Sequence, residues 1–205
     1  MDINYIKETI KNRPVGVVGK RKEFAVLVPL VETPEGISVI LEVRSGNIRQ
    51  PGDICFPGGK IEDGEDILTA ALRETYEEIG ISPDKIEIFG QFDSVLEVNR
   101  VRMHTVVGLV SKNGYENMEL ERNEVEEVLT IPLKFFTENK PDYFRGRIIQ
   151  ATDDFPFDEQ GIDRNYKWRE AFQDFYFWHY NGKCIWGITA LVLQWFIEEI
   201  IEPEM

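Results

Sequence analysis

Cysteine is nearly missing from this chain: only Cys55 and Cys184 occur, and no CxxC pair. Two thiols in that pattern are expected to stay reduced, which excludes a disulfide-stapled fold and points to the cytoplasm. Long apolar runs are missing as well. No stretch approaches the ~20 residues that cross a bilayer, and the opening MDINYIKETIKNRP lacks the apolar centre of a signal peptide. The last residues, Pro203-Glu204-Met205, form no recognisable address signal. Positive charge is in deficit, with 23 Lys and Arg against 37 Asp and Glu and a net charge of −14. A nucleic-acid backbone or an anionic membrane surface would repel such a chain, so neither is expected as a partner. Internal repeats and low-complexity linkers are also lacking, which favours one domain over residues 1–205. The 42% hydrophobic and 12% aromatic content of the 205 residues is ample for one buried core.

What is present centres on residues 56–81, FPGGKIEDGEDILTAALRETYEEIGI. At roughly 100° per residue, Leu68, Leu72, Thr75 and Ile79 fall on one stripe of a helix and are expected to face the core. Glu74, Glu77 and Glu78 are spaced i, i+3, i+4 and are expected together on the far side. Like charges gathered on one face repel, and a bound divalent cation gives a reason to gather them. Arg73, next to Glu74 and four residues before Glu77, is placed to orient a carboxylate and keep it ionised. Gly80 suits a helix end in the left-handed conformation, and Gly58 and Gly59 permit close backbone approach to a ligand or metal.

Gly59, Glu65, Arg73-Glu74, Thr75, Glu77-Glu78 and Ile79-Gly80-Ile81 together resemble the Nudix box, G-x5-E-x7-R-E-U-x-E-E-x-G-U. Every Gly, Glu and Arg is in register; one aliphatic position is Thr75, a β-branched residue close to Val in size. The resemblance implies an α/β (α+β type) fold, an α/β/α sandwich with a mixed β-sheet and the Nudix loop–helix–loop. It also implies a Mg²⁺- or Mn²⁺-dependent hydrolase that cleaves a nucleoside diphosphate linked to another group.

Upstream, residues 2–12 carry Ile3, Ile6 and Ile10 at helical spacing and are expected to pack as a short amphipathic helix. Residues 24–31 (FAVLVPLV) and 37–43 (ISVILEV) read as strands buried on both faces, joined by a turn at 33–36. The polar loop 44–55 then carries Arg44 and Arg49, either of which could grip phosphate or make a surface ion pair. Ile40-Leu41-Glu42-Val43-Arg44-Ser45, Arg49, Gly52 and Phe56-Pro57-Gly58-Gly59 are similar to the run preceding the box in coenzyme A pyrophosphatases, L-L-T-K-R-S-x3-R-x3-G-x3-F-P-G-G. Two departures stand out: Glu42-Val43 replaces Thr-Lys, and the Arg49–Gly52 spacing is one residue short. This resemblance implies that coenzyme A or a thioester is cut to 3′,5′-ADP and 4′-phosphopantetheine or its acylated form.

Downstream, residues 85–93 and 101–110 read as strands joined through 97–100, with His104 as a structural histidine within the second. The acidic run 116–127 offers Glu121 and Glu124, by position only, as the further carboxylate that Nudix enzymes supply from beyond the box. Residues 134–174 leave three readings open: a segment covering the substrate with aromatics stacked on adenine, a homodimer contact, or core. Residues 175–180 and 183–186 around Asn181-Gly182 form a hairpin by turn chemistry, and an apolar helix over 187–199 follows. The run IWGITA resembles the end of the same coenzyme A pyrophosphatases.

The mechanism implied by the resemblance places metal on Glu74 and Glu78, with Glu77 and the Gly59 carbonyl. Glu74 is the base, with Glu121 or Glu124 as the alternative; Arg73 orients the carboxylates and Glu65 braces the loop. Three functions compete on the sequence: a coenzyme A pyrophosphatase, a Nudix hydrolase for ADP-ribose, a dinucleotide or a nucleoside triphosphate, and a non-catalytic nucleotide sensor.

Overall fold

The computed structural model describes residues 2–13, 18–19, 21–97, 100–149 and 152–203. Val98 and Asn99 of the expected connection lie outside them. In chain order the elements are α1 (Ile3–Asn12), β1 (Lys22–Thr33), β2 (Gly36–Arg44), β3 (Ile54–Cys55), β4 (Gly58–Lys60), α2 (Ile67–Ile79), β5 (Ile86–Leu96), β6 (Val101–Val110), α3 (Lys112–Glu116), β7 (Val125–Pro132), α4 (Leu133–Glu138), β8 (Asp142–Ile148), β9 (Ala171–Tyr180), β10 (Lys183–Ile185) and α5 (Gly187–Phe196).

The main sheet is mixed. β1 runs parallel to β6 and antiparallel to β2 and β4, while β2 pairs antiparallel with β3 and β7, and β5 with β6. Along the edge away from β6, β1 changes partner: Phe24, Ala25 and Val26 pair with Lys60, Gly59 and Gly58, and residues from Leu30 onward pair with β2. The glycines of the loop are thereby fixed beside the end of β2 that carries Arg44.

Alternation along the strands splits the core in two. Val26, Val28, Leu30, Val39, Leu41 and Val43 pack with Trp178 and with Val192, Leu193 and Phe196 of α5. Ala25, Leu27, Val31 and Ile40 pack with Ala70, Ala71 and Ile79 of α2. The result is the helix–sheet–helix sandwich expected from the sequence, with the two long strands buried on both faces.

Two local expectations are corrected. Ile3, Ile6 and Ile10 of α1 are all exposed and the helix buries no residue, so it is not a packing helix. On α2 the buried sector is Ala70, Ala71, Thr75, Glu78 and Ile79, and Leu68 lies at the surface. Two adjacent alanines have so little bulk that this side of the helix approaches the sheet most closely, and the approach carries Glu78 inward with it.

The Asn181-Gly182 hairpin forms as expected, with φ of 49° and 79° at the two turn residues and Tyr180 opposite Lys183. Within 134–174, Phe136 is core, whereas Phe155, Phe157, Tyr166 and Trp168 make a separate cluster of edge-on and tilted rings. No helix among the described residues is long and apolar enough to cross a membrane.

Candidate active site

The loop before α2 and the first turn of α2 fix each other. Asp66 caps the helix, accepting hydrogen bonds from the Leu68 and Thr69 amides at 3.0 Å each. Gly80 closes it at φ 72°, and a Cβ there would meet Glu119 backbone at 2.6 Å. Thr75, the departure from the box pattern, is fully buried, and its hydroxyl donates to the Ala71 carbonyl at 2.7 Å. A valine-sized residue with a satisfied hydroxyl fits the position without leaving a buried polar atom unpaired.

Arg73 is the hub. Its guanidinium donates to both Glu65 oxygens at 2.9 and 3.1 Å, to Glu77 at 2.9 Å and to the Lys60 carbonyl at 3.2 Å, and lies 3.0 Å from Glu74 Oε1. Hydrogen bonding to Arg73 holds the Glu65 carboxyl below its usual range, and Glu65 also accepts from the Glu62 amide at 3.0 Å. One side chain thus ties the loop to the helix.

Glu74 and Glu78 differ in setting although they lie one turn apart. A Cβ on Gly59 would stand 2.3 Å from both Cδ and Oε1 of Glu74, so the glycine leaves the space that this carboxylate fills. Glu78 is only 5% exposed and accepts a 2.7 Å hydrogen bond from the Gly58 amide. Burial raises both carboxyls, most strongly Glu78, which also feels the charge of Glu42. Glu77 is on the outer side, its side chain 55% exposed.

These groups line a cavity of about 730 Å³, whose walls include Arg44, Cys55, Gly58, Gly59, Glu74, Glu78 and Glu124. Later chain completes the lining: Gln173 and Phe175 of β9, Trp186, and Gly187, Ile188 and Thr189 of α5. Trp186 is anchored across the gap by its indole N–H, 3.2 Å from Asp53 Oδ1.

The sequence candidates sort clearly. Arg44, Gly58, Gly59, Glu74, Glu78 and Glu124 meet in the cavity, with Arg73 and Glu65 bracing it from outside. Glu77, Arg49 and Glu121 do not line it. Arg49 is exposed and offers its carbonyl to Arg44 Nε at 2.9 Å. Glu121 accepts from the amide and side chain of Asn123 at 3.0 and 2.8 Å, which shapes the loop that delivers Glu124. That loop is held by Ser45, whose amide donates to the Glu124 carbonyl at 2.8 Å and whose hydroxyl bonds Asn123. His104 is buried between Glu23, at 2.6 Å, and Ser94, at 3.2 Å; it is structural, as expected, and has partners on both nitrogens. The site residues that sequence reading passed over are Asp53, Gln173, Phe175 and Trp186, which no local spacing connects to the box. Glu42, an acid inside the run ISVILEV, is fully buried and does not itself line the cavity.

Comparison with known proteins decides the family. The family model of the NUDIX domain matches residues 21–151. The chain belongs to the Nudix family. Among curated relatives it is 39% identical over 113 residues to Nudix hydrolase 3 of Caenorhabditis elegans, covering 54% of this chain and 47% of that protein. It is 35% identical over 136 residues to the peroxisomal coenzyme A diphosphatase NUDT7 of Mus musculus, covering 65% and 56%. To the peroxisomal coenzyme A diphosphatase ndx-8 of C. elegans it is 36% identical over 109 residues, covering 51% and 46%. The chain spans about half the length of these relatives.

Proposed function

We propose that this Nudix domain, one unit over residues 1–205, hydrolyses the diphosphate bond of coenzyme A or one of its derivatives, releasing 3′,5′-ADP and (acyl-)4′-phosphopantetheine. The observation that carries the reading is the convergence of Glu74, Glu78 and Glu124 with Arg44 in one cavity beside Gly58 and Gly59. Two coenzyme A diphosphatases among the relatives support the substrate, as does the run from Arg44 to Gly59. We retain the cytoplasm as the proposed compartment on the two free thiols, Cys55 and Cys184.

The residues fit a hard divalent cation by donor chemistry. Carboxylate oxygens crowd one end of the cavity, Glu74 and Glu78 are raised by burial, and one buried oxygen of Glu42 has no partner. Among the described residues no three such side chains are yet disposed around one point, because Glu74 is turned to Arg73 and Glu78 to the Gly58 amide. Glu74, Glu78 and Glu124 would hold Mg²⁺ or Mn²⁺. When bound, the ion neutralises phosphate charge and activates water. Arg44 binds phosphate oxygens, reversing locally the field of an acidic protein. Arg73 and Glu65 hold Glu74 in place, and Glu74 accepts the proton of the attacking water. Trp186 and Phe175 offer flat apolar surface for the adenine or the pantetheine arm.

The test is product analysis by mass spectrometry with coenzyme A, ADP-ribose, NADH, a diadenosine polyphosphate and dGTP, each with Mg²⁺ or Mn²⁺. The proposal predicts 3′,5′-ADP from coenzyme A well ahead of turnover on the rest. Preference for another of the set would keep the chemistry and reject the substrate.

A further inference from the structure

β2 carries an acid where its neighbours are apolar. Ile40 packs on the α2 side of the sheet and Val39, Leu41 and Val43 on the α5 side. By strand alternation Glu42 shares the α2 side with Ile40, and Arg44 follows on that side at the cavity wall. Glu42 is paired within the sheet to Cys55 of β3 and Val128 of β7, and its residual exposure is 1%. Oε1 accepts from the Cys55 thiol at 3.4 Å, whereas Oε2 is buried with no hydrogen-bond partner. The charged groups around it are Arg44, Glu74, Glu78 and Glu124, the groups that line the cavity.

A carboxylate oxygen in this position has no protein donor to satisfy it, and three further carboxylates act on it or on its neighbours. Buried in this way, the carboxyl either takes up a proton or needs positive charge from outside to stay ionised. Arg44 supplies part of that charge, but its Nε is committed to the Arg49 carbonyl and no hydrogen bond joins it to Oε2. The sequence departs here from the run it resembles, so the carboxylate is a property of this chain rather than of the box.

We propose that Glu42 is the inner carboxylate of the divalent-cation site, its free Oε2 completing from the sheet the oxygen set that Glu78 and Glu74 supply from the helix. The inference rests on the reading that this cavity takes a divalent cation. It adds a ligand from β2 that lies outside the Nudix box.

The test is a Mn²⁺ titration of the substrate-free chain of residues 1–205, read as free Mn²⁺ by electron paramagnetic resonance, for the unsubstituted chain, Glu42→Gln and Glu42→Val. Thermal melts with and without Mn²⁺ accompany it. Both substitutions should weaken Mn²⁺ binding by about 10–100-fold and shrink the Mn²⁺-induced rise in melting temperature. The metal-free melting temperature of the Gln variant should be unchanged or higher, because a buried charge has been removed. Unaltered Mn²⁺ affinity in either folded variant overturns the proposal while leaving the cation site itself intact. No Mn²⁺ binding by the unsubstituted protein overturns the cation reading and this inference with it.

Discussion

Substituting alanine at Gly59 and at Gly58 separates the site from the fold, although the two positions are adjacent. At Gly59 the added methyl would stand 2.3 Å from the Glu74 carboxyl, and ordinary contact begins at 3.4 Å, so the carboxylate must retreat by about 1 Å. The neighbour that yields is the end of a flexible side chain, and Gly59 does not need a left-handed backbone. Folding should therefore change little, with the melting temperature within about 3 °C. A displacement of about 1 Å in a positioned catalytic group costs on the order of 10²-fold in rate, which corresponds to about 2.7 kcal/mol of barrier. At Gly58 the methyl would meet Ala25 O at 2.4 Å and Val26 Cα at 2.6 Å, at φ 152°. That contact is with backbone of a central strand, and the combined strain should destabilise the fold by ~3–5 kcal/mol, or about 10 °C for a chain of this length. The assay is kcat/KM on the best substrate of the panel beside a thermal melt. Near-normal turnover by Gly59→Ala, or equal melting losses for both variants, would refute this placement of Glu74.

Arg73→Lys should lose at least about tenfold in kcat while KM changes little, because an ammonium cannot reproduce the fork that spans Glu65, Glu77 and Glu74; steady-state kinetics with near-normal turnover would contradict the hub. Arg44→Ala should raise KM by about tenfold or more and Arg49→Ala by less than about threefold, since only Arg44 lines the cavity; equal effects would mean that the loop closes differently around substrate. Metal-free protein should be more stable near pH 5 than near pH 9. Glu42 and Glu78 are raised from 4.5 to about 7 and about 9, so between those values the folded chain holds protons that the unfolded chain has released, and stability falls as pH rises. Thermal melts across pH should show that slope, and Glu78→Gln should flatten it; an unchanged slope in that variant would remove Glu78 as its source.

Much of this was legible in the sequence because the box is local. Gly59, Glu65, Arg73 and Glu74 lie within sixteen residues of one another, and spacing alone puts Arg73 in reach of Glu74 and Glu77, whereas its fork on Glu65 depends on how the loop folds back. The face of α2 was less legible: leucines suggested the stripe, but Ala70 and Ala71 set the closest approach, and Glu78 went inward where helical projection placed it outward. Projection treats bulk as the driver of burial, whereas here small residues let the backbones come together. The remainder of the site depends on distant chain. Trp186 reaches Asp53 across 133 positions, and Phe175 and Gln173 enter on a hairpin whose turn could be read but whose docking could not. Arg49 and Arg44 looked equivalent, but in the fold Arg44 lines the cavity while Arg49 is exposed and offers its carbonyl to Arg44 Nε.

If the Glu74–Glu78 cavity directs water onto the diphosphate of a nucleotide derivative, the oxygen of that water must appear in a product. Turnover of coenzyme A in ¹⁸O-labelled water with Mg²⁺, with both products weighed by mass spectrometry, should place one ¹⁸O in the newly formed phosphate of a single product, and Glu78→Gln at matched folding should give no products. Intact coenzyme A after incubation with folded, Mn²⁺-binding protein, or equal turnover by Glu78→Gln, would contradict it.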